Sequence, residues 1–172
     1  MLNPIPSEVD VAVIGAGSAG LPAFRAAREH TDRVILIERG PHGTTCARVG
    51  CMPSKLLIAA AEAAHGMEIA PGFGIHPGSI SIDGEAVMER VRRERDRFVG
   101  FVLDGVDRID PEQKISGQAR FVEDSRLEIG NSQVRAGRVV IASGTSPAIP
   151  DFLEQVRDRV SVNDDVFEWK TL

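Results

Sequence analysis

Cys46 and Cys51 are the only cysteines in the 172-residue sequence, and they lie five positions apart in Gly43-Thr44-Thr45-Cys46-Ala47-Arg48-Val49-Gly50-Cys51-Met52-Pro53-Ser54-Lys55. On one regular α-helix their Cα atoms would be about 8–9 Å apart, beyond the roughly 7 Å a disulfide can span. A bridge therefore requires a distorted turn, and Gly50 and Pro53 are the residues to make one. Gly50 relaxes the backbone, and Pro53 cannot donate to the carbonyl of Val49. A bridge closing so short a loop is strained and easily reduced, as bridges that carry electrons are. Cys51 is expected to open the following helix, where the dipole and Lys55 one turn later favour a thiolate. Cys46, further out in the loop, is the natural thiol to exchange with an incoming substrate. Three other readings stand beside this one. The cysteines could be unpaired core residues. They could ligate zinc with His42 and His65, although zinc cysteines are usually spaced by about two to four residues. They could form a merely structural bridge, which is uncommon in a reducing compartment. No metal is assigned.

A second constellation is Gly15-Ala16-Gly17-Ser18-Ala19-Gly20. In a Gly-x-Gly-x-x-Gly run the first glycine permits a tight turn, the second lets a pyrophosphate approach the backbone, and the third lets a helix pack closely on a sheet. Amides at the helix start then bind phosphate, aided by the dipole. Gly15, Gly17, Ser18, Ala19 and Gly20 are thus candidate cofactor contacts. Glu38 follows Gly20 by eighteen residues; a carboxylate there accepts hydrogen bonds from ribose hydroxyls and repels a 2′-phosphate. Arg39 beside it joins the candidate set. The alternative is a glycine-rich turn and a surface glutamate that hold no ligand. Pro22 cuts against the pattern, because a proline one turn into a helix removes a donor and can kink the axis.

These residues need elements to position them. Val9–Ile14 reads as a buried strand, Ser18–Glu29 as a helix and Val34–Ile37 as a second strand, the βαβ unit of a parallel sheet. A helix is predicted from Gly50 to His65, with Leu56, Leu57, Ala60, Ala61 and Ala64 as its apolar face. A loop follows over Ala70–Ser81, then a helix over Gly84–Leu103 with Val87, Val91, Phe98 and Val102 on one stripe. Short strands are predicted at Gly117–Val122, Arg126–Ile129 and Arg138–Ala142, with turns at Gly130-Asn131 and Ala136-Gly137. Asp151–Leu172 reads as a linker.

Composition narrows the function classes. Hydrophobic residues make up 42% and charged residues 26%, and the net charge is −5, which fits a soluble globular domain. The arginines from Arg90 to Arg97 are interleaved with acids, so a solvated helix face is expected rather than a nucleic-acid surface. No apolar run is long enough to span a bilayer, and Met1–Glu8 carries no secretory signal pattern. No nucleic-acid or membrane partner is expected, and the cytoplasm is the expected compartment.

Taken together, these motifs resemble the FAD-binding N-terminal part of the pyridine nucleotide–disulfide oxidoreductases, dihydrolipoyl dehydrogenase most closely. The glycine loop with Glu38 resembles the family's ADP-binding segment of the FAD site. Thr45-Cys46 through Cys51-Met52-Pro53-Ser54-Lys55 resembles its redox-active box. Ile141-Ala142-Ser143-Gly144-Thr145 resembles its second FAD fingerprint, with Ser143 in place of the usual Thr. The resemblance implies a Rossmann-like α/β fold over residues 1–150, a parallel sheet with helices plus a small antiparallel β-meander. It implies that Cys46 is the interchange thiol and Cys51 the thiol facing the flavin, with Lys55 beside the isoalloxazine and Thr45 touching the cofactor. Ala119 would lie near the adenine, and Ala142, Ser143 and Gly144 would contact FAD. The implied chemistry is electron relay between a dithiol or disulfide substrate such as lipoamide, the cysteine pair, FAD and NAD(P).

Two departures fall in the cysteine loop: Thr44 replaces a usual second Gly, and Arg48 a usual Asn. The Pro53-Ser54-Lys55 ending favours lipoamide-type or mercuric-reductase-type relatives over glutathione reductase. The family's NAD(P)-binding glycine motif and its dimerisation domain, which carries a His-Glu base, have no counterpart here. The resemblance therefore implies a fragment, unable to turn over alone, of an enzyme that is a homodimer at full length. A mercuric-reductase-like metal-ion reductase and a non-catalytic dinucleotide-binding module are the alternatives.

Overall fold

The computed structural model describes residues 5–172, so the lead segment read from Met1 to Glu8 lies partly outside it. Two compact units are present: one holds the residues up to Thr45 with Gly100–Ser146, the other Cys46–Val99 with Pro147–Leu172.

The first unit is built on a six-stranded sheet ordered β3-β2-β1-β6-β5-β4. Strands β1 (Glu8–Ile14), β2 (Val34–Glu38) and β3 (Lys114–Ser116) run parallel to one another, and β1 is also parallel to β6 (Ser132–Ile141). β4 (Ala119–Glu123) and β5 (Arg126–Ile129) extend the sheet antiparallel through β6. This is the expected Rossmann-like sheet with a β-meander. Alternate residues of β2 serve opposite faces. Ile35 and Ile37 join a core with Leu127, Ile129 and Val134, while Val34 and Leu36 join one with Leu21, Phe24 and Val106. Leu21 and Phe24 come from helix α1 (Gly20–Arg28). Burial on both faces explains why these strands read as unbroken apolar runs.

Three expectations need correction. Helix α1 begins at Gly20 rather than Ser18, so Pro22 falls in its first turn, where its missing N–H lacks an intrahelical partner in any case. Ala136-Gly137 is strand rather than turn, and β6 begins at Ser132. At Gly137 a Cβ would stand 3.1 Å from the Asp10 carbonyl oxygen, so this glycine permits β1 and β6 to approach closely. Strand β3 carries no strand pattern in the sequence; its three residues pair with Leu36, Ile37 and Glu38 of β2.

The second unit holds helices α2 (Thr45–Val49, which begins at the last residue of the first unit), α3 (Cys51–Ile69) and most of α4 (Gly84–Asp107). Met88, Val91 and Phe167 are buried here, whereas α3 buries only Pro53. Residues Asp151–Arg159 and Val166–Glu168 form 3₁₀ turns, and the tail is tied to α4 by Arg95 with Glu168 and by Arg92 with the Trp169 carbonyl. Among the described residues no helix is long and apolar enough to cross a membrane.

Candidate functional site

The carboxyl ends of β1, β2 and β6 converge on Gly15. Its N–H donates to the Ile37 carbonyl at 2.7 Å, and the Ala142 N–H donates to the Ile14 carbonyl at 2.8 Å. Beyond β1 the chain order changes from β2 on one side to β6 on the other, the switch point at which open α/β sheets bind ligands. Gly15 has φ +102°, and a Cβ there would stand 2.2 Å from the Ala142 oxygen; at Gly20 one would stand 1.7 Å from the Gly15 oxygen. Both glycines are thus required by close packing. Gly17 differs, since a Cβ there meets nothing within 4 Å. The loop is open at Gly17, and no side chain caps the start of α1, which leaves room and donors for a phosphate.

Glu38 braces this loop. Its Oε2 accepts the Ala16 N–H at 2.7 Å, its Oε1 accepts the Gly40 N–H at 2.8 Å, and its backbone carbonyl accepts the Gly117 N–H at 2.9 Å. Each carboxylate oxygen has a second acceptor direction left for a ribose hydroxyl. Beside it opens a cleft of about 230 Å³ lined by Gly15, Glu38, Arg39, Ala119 and Ser143, and by Gly117 and Gln118. Five candidates from the sequence therefore meet, together with two residues that sequence reasoning missed. The volume is below the roughly 300–1,000 Å³ of a complete small-molecule site and suits part of a dinucleotide. A larger cleft of about 470 Å³ lies at the other end of the strands. There Arg28 pairs with Asp32 and Arg33 with Glu8, and Asp110 and Glu112 leave the lining with a surplus of negative charge that disfavours a phosphate.

Ala142 packs against Gly15 and Gly20. Gly144, at φ +69°, is exposed and does not line the cleft. Ser18 opens onto a separate hollow of about 300 Å³ with Leu21, Pro22, Arg25, Thr44, Phe101 and Val102. Thr44 is held at φ +60° directly after Gly43 at φ +112°, a strained conformation for a β-branched residue.

Thr45, exposed, is the first residue of α2. In the second unit, Gly50 takes φ −126° and ψ −122° and separates α2 from α3. This break bends Cys46 back onto Cys51: the thiols hydrogen-bond to each other, and the Cys51 backbone N–H donates to the Cys46 sulfur. Both cysteines are free thiols, Cys46 half-buried and Cys51 exposed. Gly50 is the residue at the break, and Pro53 has no N–H to give the Val49 carbonyl and so carry one helix through. Pro53 is buried inside the first turn of α3, where the Ser54 N–H and hydroxyl both reach the Gly50 carbonyl. The Cys46 thiol is held above its ordinary range. Its hydrogen bond to Cys51, burial and the proximity of a Cys51 charge all favour the protonated form; the Cys51 amide and Lys55 pull the other way. Among the described residues no group of three His, Cys, Asp or Glu side chains could hold a metal ion.

A nucleotide-sized cleft at the switch point and a dithiol at the start of a helix define a class of redox protein that uses a dinucleotide. Residues 9–170 match the family model of the pyridine nucleotide-disulphide oxidoreductases, and the chain belongs to that family. Its enzymes are flavin-dependent and use FAD and NAD(P)H. The chain is 36% identical over 159 residues to a mercuric reductase of Streptomyces lividans, covering 86% of this chain and 33% of that one. It is 37% identical over 152 residues to a mercuric reductase of Serratia marcescens, covering 83% and 32%. A glutathione reductase of Burkholderia cepacia is 31% identical over 161 residues, covering 94% and 35%. The chain thus spans about a third of the length of these relatives. Among solved structures, the Cu(II) complex of the HOCl-induced flavoprotein disulfide reductase RclA from Escherichia coli shares the fold. It superposes with a TM-score of 0.72 at 21% identity, covering 95% of this chain and 34% of that one.

Proposed function

We propose that this chain is the FAD-binding portion of a disulfide oxidoreductase whose Cys46–Cys51 pair exchanges electrons with a dithiol or disulfide substrate. The observation that carries this reading is the hydrogen-bonded contact of the two thiols across the break at Gly50. The Cys46 thiolate attacks one sulfur of a substrate disulfide, forming a mixed disulfide and releasing the first substrate thiolate. The Cys51 thiolate then attacks the Cys46 sulfur, closing the Cys46–Cys51 bridge and releasing the second thiolate. Each leaving thiolate takes up a proton, and two electrons pass from the pair to the substrate; a dithiol substrate runs the same steps in reverse. Because contact with Cys51 and burial retain the proton on Cys46, a base must remove it at neutral pH. FAD, when bound, links the pair to the electron pair of NAD(P)H.

The residues fit that cofactor. The open side of the loop at Gly17 admits its pyrophosphate, with Ser18 and Ala19 at the start of α1, and Glu38 accepts from its ribose. Ala119, beside Arg39 and Ser143 in the same cleft, would face the adenine. Thr45, Lys55, Ala142 and Gly144 are proposed as further contacts. We assign residues 1–150 to the FAD domain and Asp151–Leu172 to the connection with an NAD(P)-binding part. A cytoplasmic setting is proposed, since a close cysteine pair in a reducing compartment is more often catalytic than structural, and the whole enzyme is proposed to be a homodimer.

The Pro53-Ser54-Lys55 ending supports a lipoamide-type or a mercuric-reductase-type enzyme over a glutathione reductase, and mercuric reductases at 36 and 37% identity favour Hg(II) as the second reading. Steady-state assays of the whole enzyme with lipoamide, glutathione disulfide and Hg(II) separate them. On the chain itself, titration with glutathione disulfide should remove both thiols together. Separate glutathione adducts at both cysteines would overturn the reading.

A further inference from the structure

Two arginines line one small cleft beside the cysteine segment. The cleft, about 230 Å³, is lined by Arg48, Val49, Arg95, Asp96, Val99 and Glu168. Arg48 and Val49 lie in sequence between the two cysteines. Arg95 comes from α4, Glu168 from the tail. The Arg95 side chain is only 11% exposed, with its Nε 2.8 Å from Asp96 and its Nη1 on Glu168. Burial works against its charge, and the bonds to the two carboxylates outweigh that cost. Both carboxylates in the cleft are therefore engaged by Arg95. Among the described residues no carboxylate pairs with Arg48.

Arg95 with Asp96 and Glu168 sums to one surplus negative charge, which attracts the positive charge of Arg48. We propose that Glu168 and Asp96, by more than neutralising Arg95, hold Arg48 at the cleft and so position the inter-cysteine segment for disulfide closure. Arg95, Asp96 and Glu168 are then positioning residues acting through Arg48, and the tail takes part in setting the redox equilibrium. This rests on the reading of Cys46 and Cys51 as an exchanging pair. The exchange is balanced: two thiols and one glutathione disulfide give the Cys46–Cys51 bridge and two glutathione thiols. Removing either carboxylate cancels that surplus while Arg95 stays paired with the other, so Arg48 loses its hold on the cleft, the segment moves outward and the effective concentration of one thiol at the other falls.

The test is the thiol–disulfide equilibrium constant of the chain in glutathione buffers, measured by alkylation and intact mass. Glu168→Gln should lower the constant by about threefold or more at low salt. Asp96→Asn, which leaves the tail untouched, should act in the same direction. Both effects should vanish in an Arg48→Gln background and shrink near 1 M salt, where the screening length is about 3 Å. Emission from Trp169, the sole tryptophan, reports whether the tail stays docked. A constant unchanged in both variants, or a shift that persists in the Arg48→Gln background, would overturn the proposal. A wild-type pair that never closes would instead sink the exchanging-pair reading.

Discussion

The Ala16 N–H donates to the Glu38 carboxylate at 2.7 Å, joining the glycine loop to the end of the neighbouring strand. The amide of Ala16 is thereby turned toward protein, which leaves the proposed phosphate contacts to Gly17 and the first turn of α1. One carboxylate holds the loop in shape through Ala16 and Gly40 and keeps acceptor sites for the proposed ribose.

Replacing Glu38 with Ala should therefore weaken both fold and ligand binding. Ala16 is buried, and leaving its amide unpaired costs about 1–3 kcal/mol. Urea unfolding should show that loss, and isothermal titration with ADP should show weaker binding. Unchanged stability alongside weakened ADP binding would leave Glu38 only its ribose role.

The three loop glycines should separate by mechanism. Gly20→Ala sets a Cβ 1.7 Å from a backbone oxygen, and the chain is expected not to fold. Gly17→Ala adds a methyl in open space, so stability should stay within about 0.5 kcal/mol. FAD binding, read by flavin fluorescence quenching, should nonetheless fall by more than about tenfold, a loss of roughly 1.4 kcal/mol. A Gly17→Ala protein that binds FAD like the wild type would place the pyrophosphate elsewhere.

Much of this arrangement is legible in the sequence because its causes are local. Gly15, Gly17 and Gly20 lie at fixed offsets between an apolar run and a helix, and Gly50 marks the distorted turn between the cysteines, although helix α2 ahead of it has no such signal. What escaped depends on distant partners. Lys114–Ser116 is a strand because β2 has a free edge beside it, and nothing in three residues announces that. Gly137 reads as a turn by type and is strand because Asp10 lies against it. Gly117 and Gln118 enter the cleft because the Gly117 N–H finds the Glu38 carbonyl, 79 residues back in the chain. The 3₁₀ tail is tied down by Arg95 and Arg92, with Phe167 buried, pairings no local pattern reveals.

Thr44 is held at φ +60° at a position where the resembling family usually has glycine. A left-handed conformation costs an L-residue roughly 1–2 kcal/mol, partly offset by the greater freedom of glycine in the unfolded chain. Thr44→Gly should thus stabilise the protein, raising the urea midpoint, whereas Thr44→Val should not. A destabilised Thr44→Gly protein would mean that the threonine side chain contributes more than its backbone conformation costs.

The pH dependence of the thiols follows from the contact between them. Ionising Cys46 gives up its S–H bond to Cys51, and a charged Cys51 opposes the new charge; both raise the Cys46 pKa. A raised thiol pKa means less thiolate at neutral pH, so alkylation of Cys46 should be slow there and accelerate only in more alkaline solution. Cys51→Ala removes both influences and also lets the residue-46 thiol be followed alone. Its rate profile, measured with iodoacetamide against pH, should have its midpoint shifted to lower pH than that of Cys46 in the wild type, resolved by peptide mass mapping. Lys55→Met in the Cys51→Ala background should move the midpoint back upward, because an ammonium that favours the thiolate has been lost. If Cys51→Ala left the midpoint in place, the two sulfurs would not be coupled in solution, and the exchange steps assigned to them would have no starting geometry.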